Sequence, residues 1–406
     1  MQGVRAALRV PGFRWLIISY VVNRAGDVVG SLALAVVILA KTGSALATAL
    51  LFLATQFLPG LVGPALVARV DRVAPGRILP ALYAVECCLL GLLAVIVHRS
   101  GAPLLIALAF VDAILAFVAR TITRSASASI LVAHDLVPEG KAAFNVALAM
   151  AMIAGPVVAG AAVGLLGSAT ALAIDAASFL CAAVVLGCAS GLRSRGSGGD
   201  PGRGTLREGL RYIAGRPALR ALILGEGAAF VFFYLVVPVT VVYATRSLHA
   251  GPGGYAAILA SWGVGIAIGS AVQVRMARRV GFRMILLSTA AVAAGYLGTA
   301  AAPTLALACA ASVLGGVGNG TQWASVETTL HLLVDEAFRA RTAAVLEALA
   351  AIAPGVGILV GGALTALFSP RAAYLVAGLG LIVLVAAGGL VRSAIAVPVS
   401  KPVRVG

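Results

Sequence analysis

Charge is what this 406-residue chain has least of. Asp, Glu, Lys and Arg make up 11% of it, against about 25% in an average soluble domain, while 61% is apolar. That balance excludes a soluble globular protein. Carboxylates are scarcer still, 14 Asp and Glu against 30 Lys and Arg, which leaves a net charge of +16. In a soluble chain such an excess points first to nucleic acid. Here the basic residues fall between long apolar runs rather than in one stripe, so a phosphate-tracking surface has nowhere to form and the partner is the lipid bilayer.

Other chemistry is missing as well. The five cysteines, Cys87, Cys88, Cys181, Cys188 and Cys309, are odd in number and sit in apolar stretches without metal-ligand spacing to His98, His134, His249 or His331. They read as packing residues, and the histidines, near the ends of apolar segments, as solvated interface groups. No metal or cofactor is expected. The only Gly-Lys pair is Gly140-Lys141, with Asp135 where a phosphate-binding loop needs its first glycine, so ATP does not drive this protein. Neither His-Glu-x-x-His nor Gly-x-Ser-x-Gly occurs, and an enzyme is not expected.

What is present is a series of long apolar segments. A hydrocarbon core about 30 Å thick needs roughly 20 apolar residues per helix. Twelve such segments can be drawn, at 14–40, 45–68, 77–97, 103–126, 142–166, 169–190, 219–244, 254–277, 283–301, 304–328, 341–367 and 371–392. Arg5, Arg9 and Arg14 precede the first, which Asn23, Arg24 and Asp27 interrupt; it reads as an uncleaved span rather than a signal peptide. Lys and Arg stay on the cytoplasmic side of short loops. With the N-terminus inside, 25 of the 30 basic residues fall on that side and only Arg24 lies within a span. Both termini are therefore predicted to be cytoplasmic.

Gly191 to Thr205, GLRSRGSGGDPGRGT, cannot bury a core and separates six spans from six. After it, Leu206, Leu210 and Ile213 fall on one face of a short helix, which would lie on the membrane surface or serve as an ordinary amphipathic linker. The expected organisation is a six-helix bundle at 1–190, a linker at 191–217, a second six-helix bundle at 218–392 and a tail at 393–406. The halves repeat each other. Gly63, Arg69, Arg72 and Arg77 match Gly269, Arg275, Arg278 and Arg283 at an offset of 206, and LVPE at 136–139 matches LVDE at 333–336. Duplicated six-helix halves are a transporter architecture, with the substrate site near mid-membrane where the repeats meet.

The chain thus resembles the major facilitator superfamily over nearly its whole length. The loop between spans two and three matches the superfamily motif at Asp71, Arg72 and Arg77, with Val67 in place of its glycine. AGPVVAG in span five, through Gly155, Pro156 and Gly160, is similar to the Gly-Pro motif of efflux antiporters. Gly26-Asp27, DAASF at 175–179 and LREGLRYIAGRPALRAL before span seven resemble the bacterial enterobactin-exporter-like and macrolide-efflux-like branch. The resemblance implies an all-α membrane protein of twelve helices in two pseudo-symmetric bundles, working by alternating access as a proton-coupled exporter of a small lipophilic drug-like or siderophore-like compound. It further implies a monomer in the bacterial inner membrane. An importer on the same fold, or a transporter-like sensor or assembly factor, are the alternatives.

A carboxylate in hydrocarbon costs several kcal/mol unless paired or neutralised, so the intramembrane acids are informative. By the resemblance, spans one, four, seven and ten line the cavity, which directs Asp27, Asp112, Glu226 and Glu327 toward it. At about 1.5 Å per residue, Asp27 and Asp112 lie near mid-depth, Glu226 about a third of the way in, and Glu327 at the cytoplasmic end. Arg24 and Asp27, three apart, share a helix face and can pair. Asp27 is expected to carry the coupling proton, tuned by Arg24 and Arg120, with Asp112 and Glu226 in reserve. Glu86 and Asp175, on peripheral spans, are expected to pack. Asp71, Arg72 and Arg77 would form a cytoplasmic gate, and Gly155, Pro156 and Gly160 would let the interface between halves bend. Asn23, Phe230, Phe233, Tyr234, Asn319, Gln322 and Trp323 are the candidate cavity surface.

Overall fold

The structure, a computed structural model, describes residues 6–70, 73–132, 134, 136–188, 206–275, 281–335 and 338–394. Among these residues there is no strand, and twelve long helices follow one another: α1 Pro11–Thr42, α2 Ala45–Val70, α3 Pro75–Ile96, α4 Ala102–Val132, α5 Val137–Ala161, α6 Ser168–Cys188, α7 Pro217–Ser247, α8 Gly251–Arg275, α9 Phe282–Ala301, α10 Leu305–Leu333, α11 Arg339–Leu367 and α12 Pro370–Ala394. A short linker helix, Leu206–Ala214, lies between α6 and α7.

Ten of the twelve are long and apolar enough to cross a membrane. The other two are α5, which contributes the shorter apolar stretch Ala154–Leu166, and α10, whose Asn319, Gln322 and Glu327 lower its mean hydropathy. The outside of the bundle is apolar in helical register. Leu92 and Val95 on α3, Leu180 and Val184 on α6, and Leu375, Leu379, Ile382, Val383 and Leu390 on α12 are all exposed. Spacings of three and four residues put each set on one stripe, the surface a helix offers to lipid.

Local sequence marks the helix ends. Gly43 closes α1 in the left-handed conformation (φ 58°), its N–H donating to the Leu39 carbonyl, and the Ser44 hydroxyl accepts from the Ala47 N–H to open α2. Pro11, Pro75 and Pro217 start their helices where a missing N–H costs nothing.

α1–α6 form one bundle and α7–α12 the other, and they meet along two seams, α5 on α8 and α2 on α11. The seams are tight because the residues are small. A Cβ at Gly160 would strike Ala256 of α8, and one at Gly362 would strike Ala49 of α2. Gly355 of α11 lies against the Phe57 ring, and Arg246 at the end of α7 donates to the Gly43 carbonyl. All these contacts lie away from the linker end, so the halves are closed on each other at the end opposite the linker. Gly160 therefore sits between the halves, whereas Gly155 packs on Val28 of α1 within its own half; Pro156 is buried.

The linker helix packs on the C-terminal bundle. Leu210 is half exposed, and the face that packs is Gly209, Tyr212 and Ile213, against Val334, Val345 and Phe338 of the C-terminal bundle. The Tyr212 ring stacks on Phe338 with centroids 4.2 Å apart, and its hydroxyl both donates to Asp335 Oδ2 (2.9 Å) and accepts from the Asp335 N–H (3.1 Å). Arg216 covers the other face of the Tyr212 ring and bonds the same carboxylate at 2.9 Å, while Arg341 pairs with Glu208 at 3.2 Å. An aromatic residue that satisfies its hydroxyl gains more from burial here than an aliphatic one.

Removing this clamp is expected to release the helix. Tyr212→Ala should weaken docking by about 3 kcal/mol and Tyr212→Phe, which keeps the stack, by about 1 kcal/mol. Limited trypsin cleavage at Arg211 checks the order: fastest for Ala, intermediate for Phe, slowest for the native chain.

Candidate functional site

The first span supplies the centre of the site. Asp27 lies half way along α1, and its Oδ2 accepts from two guanidinium groups, Arg24 Nη1 at 3.2 Å one turn earlier and Arg120 Nη1 at 2.7 Å from α4. All three are partly exposed, Asp27 at 20%, Arg120 at 24% and Arg24 at 30%. Position explains the first pair, since residues three apart share a helix face; the second exists only because α4 packs antiparallel against α1. One carboxylate thus answers two cations, leaving the group a net positive charge that any change at Asp27 alters.

Behind this pair the bundle holds three more acids. Glu86 on α3 is fully buried, with neither carboxylate oxygen hydrogen-bonded among the described residues, and Asp112 Oδ1 is buried in the same condition. Asp27, Glu86, Asp112 and Asp175 lie within electrostatic reach of one another, with Arg120 facing both Glu86 and Asp112. Asp175 reaches from α6 to α1, where its two oxygens lie over Gly26 and Gly30; a Cβ at either glycine would collide with the carboxylate. The sequence reading treated Glu86 and Asp175 as peripheral packing groups. The structure brings both to the back of the Asp27 site. The signal that could have found Asp175 is the Gly26/Gly30 pair, a slot one turn long beside Asp27. Nothing in the sequence marked the face of α3 that Glu86 occupies.

The C-terminal bundle has one matching feature. Gln322 Nε2 of α10 donates to Glu226 Oε2 of α7 at 2.5 Å, both groups buried, with Glu226 Oε1 and Gln322 Oε1 left without partners. Next to it, the Phe230 and Trp323 rings are 6.0 Å apart, Phe230 buried and Trp323 half exposed. Phe233, Tyr234 and Asn319 are partly buried, and Tyr234 lies in electrostatic reach of Arg24 in the opposite half. Asn23, one turn from Asp27, is buried with both amide atoms unanswered.

The gate residues are only partly visible. Asp71 and Arg72 lie outside the described residues, while Arg77 is exposed in the first turn of α3. Glu327 is exposed near the linker end of α10. Among the described residues no group of His, Cys, Asp and Glu has the arrangement of a metal site.

The family model for transmembrane secretion effectors matches residues 3–401. The chain belongs to this family of major facilitator transporters. No curated protein matches it. Solved structures of the same fold do. A bacterial homologue of the lysosomal transporter Spinster, inward-facing and occupied, aligns with a TM-score of 0.73 at 14% identity over 94% of this chain and 96% of that one. The nucleoside transporter NupG gives 0.71 at 12% identity, covering 94% and 98%. A bacterial homologue of the iron transporter ferroportin, inward-facing, gives 0.69 at 15%, covering 93% and 99%. At these identities the likeness concerns the fold. The protein is a multi-pass membrane transporter of a small molecule and not an enzyme.

The ion group makes a stability prediction. Asp27→Asn strands two guanidinium groups, and Arg120→Met strands part of the carboxylate's charge, so a double-mutant cycle between them should give a coupling of about 2 kcal/mol. Thermal unfolding in detergent measures it; the double variant is expected to be more stable than the two single losses added together.

Proposed function

We propose that this transporter exports a small lipophilic compound in exchange for protons, with Asp27 as the coupling carboxylate. The observation that carries the reading is the sharing of Asp27 Oδ2 between Arg24 and Arg120 half way along α1. Two full charges at that depth are a poor way to gain stability, because desolvating them offsets most of their attraction. A carboxylate that alternates between holding a proton and holding two arginines gives them a purpose. Protonating Asp27 removes the charge that ties α4 to α1 and frees Arg120 to turn to Asp112 and Glu86, both within its electrostatic reach.

Substrate meets the same group from the space between the halves. Tyr234, beside Arg24, and Phe230, Phe233, Trp323, Asn319 and Gln322 offer aromatic and amide surface suited to a lipophilic, cationic molecule. Glu226, tied to Gln322, is the reserve acid on the opposite wall. The halves are closed at the end away from the linker. With both termini and the linker in the cytoplasm of a bacterial cell, as the distribution of basic residues supports, this conformation opens inward. The seams at Gly160 and Gly362 then act as the pivots, and Asp71, Arg72 and Arg77 latch the cytoplasmic end in the opposite state. The substrate path lies within one chain, so a monomer suffices.

Everted vesicles loaded by an imposed pH gradient test this with a lipophilic cationic dye. Acidifying the lumen should drive dye uptake, and Asp27→Asn should lower the driven rate about tenfold or more while dye counterflow without a gradient persists. Uptake unaffected by the gradient, driven in the opposite sense, or undiminished in Asp27→Asn would contradict the reading.

A further inference from the structure

Among the described residues, Ser19 and Asn23 on α1, Ser127 on α4 and Glu86 on α3 are each no more than 1% exposed and unanswered by any hydrogen bond, and Thr123 on α4, as deeply buried, has the Tyr83 hydroxyl of α3 as its one neighbour in hydrogen-bonding reach. Glu139 Oε2 on α5, apart from the others, and Asp112 Oδ1 on α4 are unanswered as well. The others are not scattered. The contacts Asp27 to Arg120 and Tyr20 to Arg124 (3.4 Å) fix the register of antiparallel α1 and α4. One step up α1 is one step down α4, so Asn23 falls level with Thr123 and Ser19 with Ser127. Along α1 the positions 19, 23 and 27 recur every four residues, and along α4 the positions 127, 123 and 120 every four or three, which keeps each set on one stripe. Tyr83 of α3 adds its hydroxyl next to Thr123.

A buried polar group without a partner costs about 1–3 kcal/mol. A line of them on one seam, in a bundle otherwise built of Ala, Leu and Val, is too costly to be left dry. Internal water is stable where two to four polar groups surround it. The line also has a direction. It starts near the linker ends of α1 and α4, at Ser19 and Ser127, and runs inward to the back of the Asp27–Arg120 pair, where Glu86 lies.

We propose that a file of water along the α1–α4 seam conducts protons between the Asp27 site and the linker end, and that Glu86 is the acid that exchanges protons with it. The proposal rests on the proton-coupled reading above and adds the proton's route. Each hop breaks one O–H bond and forms the next, from water to water and, at the inner end, to or from a Glu86 oxygen. Glu86 faces Asp112 and Arg120 on α4, Asp27 on α1, Asp175 on α6 and Tyr83 on its own helix. The partly exposed side of the Asp27 group is left for substrate. Proton and substrate thus approach one carboxylate from opposite sides, and the ion pair separates the two routes.

The test uses deuterium as its probe and needs no substrate. Infrared difference spectra of the protein in lipid vesicles should contain a carboxylic-acid C=O band that disappears in Glu86→Gln. On transfer to heavy water the band should shift rapidly in the native chain. In the double variant Asn23→Leu, Thr123→Val it should shift about tenfold more slowly or less, because the seam is closed to water. Should that variant fail to fold, Ser19→Ala with Ser127→Ala removes two hydroxyls without adding volume and should slow the exchange in the same sense. A band that survives Glu86→Gln, or exchange at the native rate in a folded seam variant, overturns the proposal. Because transport is not the readout, these outcomes stand apart from the vesicle assay: a hydrated seam with no gradient-driven export would contradict proton coupling and leave the file intact.

Discussion

A carboxylate held by two arginines inside a bundle with an apolar exterior is the constraint on which the rest of this structure depends. Charge is tolerated at that depth only when it is paired and shielded. The surroundings of Asp27 satisfy both needs. Arg24 is one turn away on the same helix, Arg120 is brought in by antiparallel packing, and the slot of Gly26 and Gly30 lets Asp175 of α6 approach α1 without a side chain between them. Remove the glycines and α6 must move outward; remove Arg120 and α4 loses its anchor on α1. The charged group is therefore also the point at which three helices of the N-terminal bundle, α1, α4 and α6, are held in register.

The two bundles share a fold but divide the chemistry. Four acids gather in the N-terminal one, whereas in the C-terminal one Glu226 is held by an amide and lies close to a pair of aromatic rings. Such a division suits a machine in which one half responds to ion binding and the other grips an apolar molecule. What makes the division effective is the pair of seams, where Gly160 meets Ala256 and Gly362 meets Ala49. Small residues let the bundles touch closely there, and on the proposed mechanism little interdigitation has to be undone when they pivot. The linker helix, clamped by Tyr212 and Arg216 to Asp335, moves with the C-terminal bundle, so the loop joining α10 to α11 is braced against the linker.

Much of this was legible in the sequence because lipid imposes a simple code. Span length and the sparing use of charge gave twelve helices, and the three-residue spacing of Arg24 and Asp27 gave their pairing. The partnership of Asp27 with Arg120, 93 positions away, could only be suggested, since it depends on which faces of α1 and α4 meet. Glu86 and Asp175 do pack inside the bundle, but their closeness to Asp27 was hidden for a related reason. A span at the periphery of a bundle still has an inner face, and hydropathy alone does not say which residues occupy it. The linker helix shows the same limit, because amphipathic periodicity favoured Leu210 whereas packing chose Tyr212, whose hydroxyl finds a partner in Asp335.

The claim that protonation at Asp27 moves the two bundles is tested most directly by the distance between them at the linker end. Spin labels at Ser125 of α4 and Thr328 of α10, both exposed, in a chain lacking its native cysteines, report that distance by double electron–electron resonance in lipid nanodiscs. The populations of long and short distances are predicted to redistribute between mildly acidic and mildly alkaline buffer, and to stay fixed in Asp27→Asn, where no proton can be gained or lost at that position. A distribution that ignores pH in the native chain, or the same redistribution in Asp27→Asn, would contradict the account.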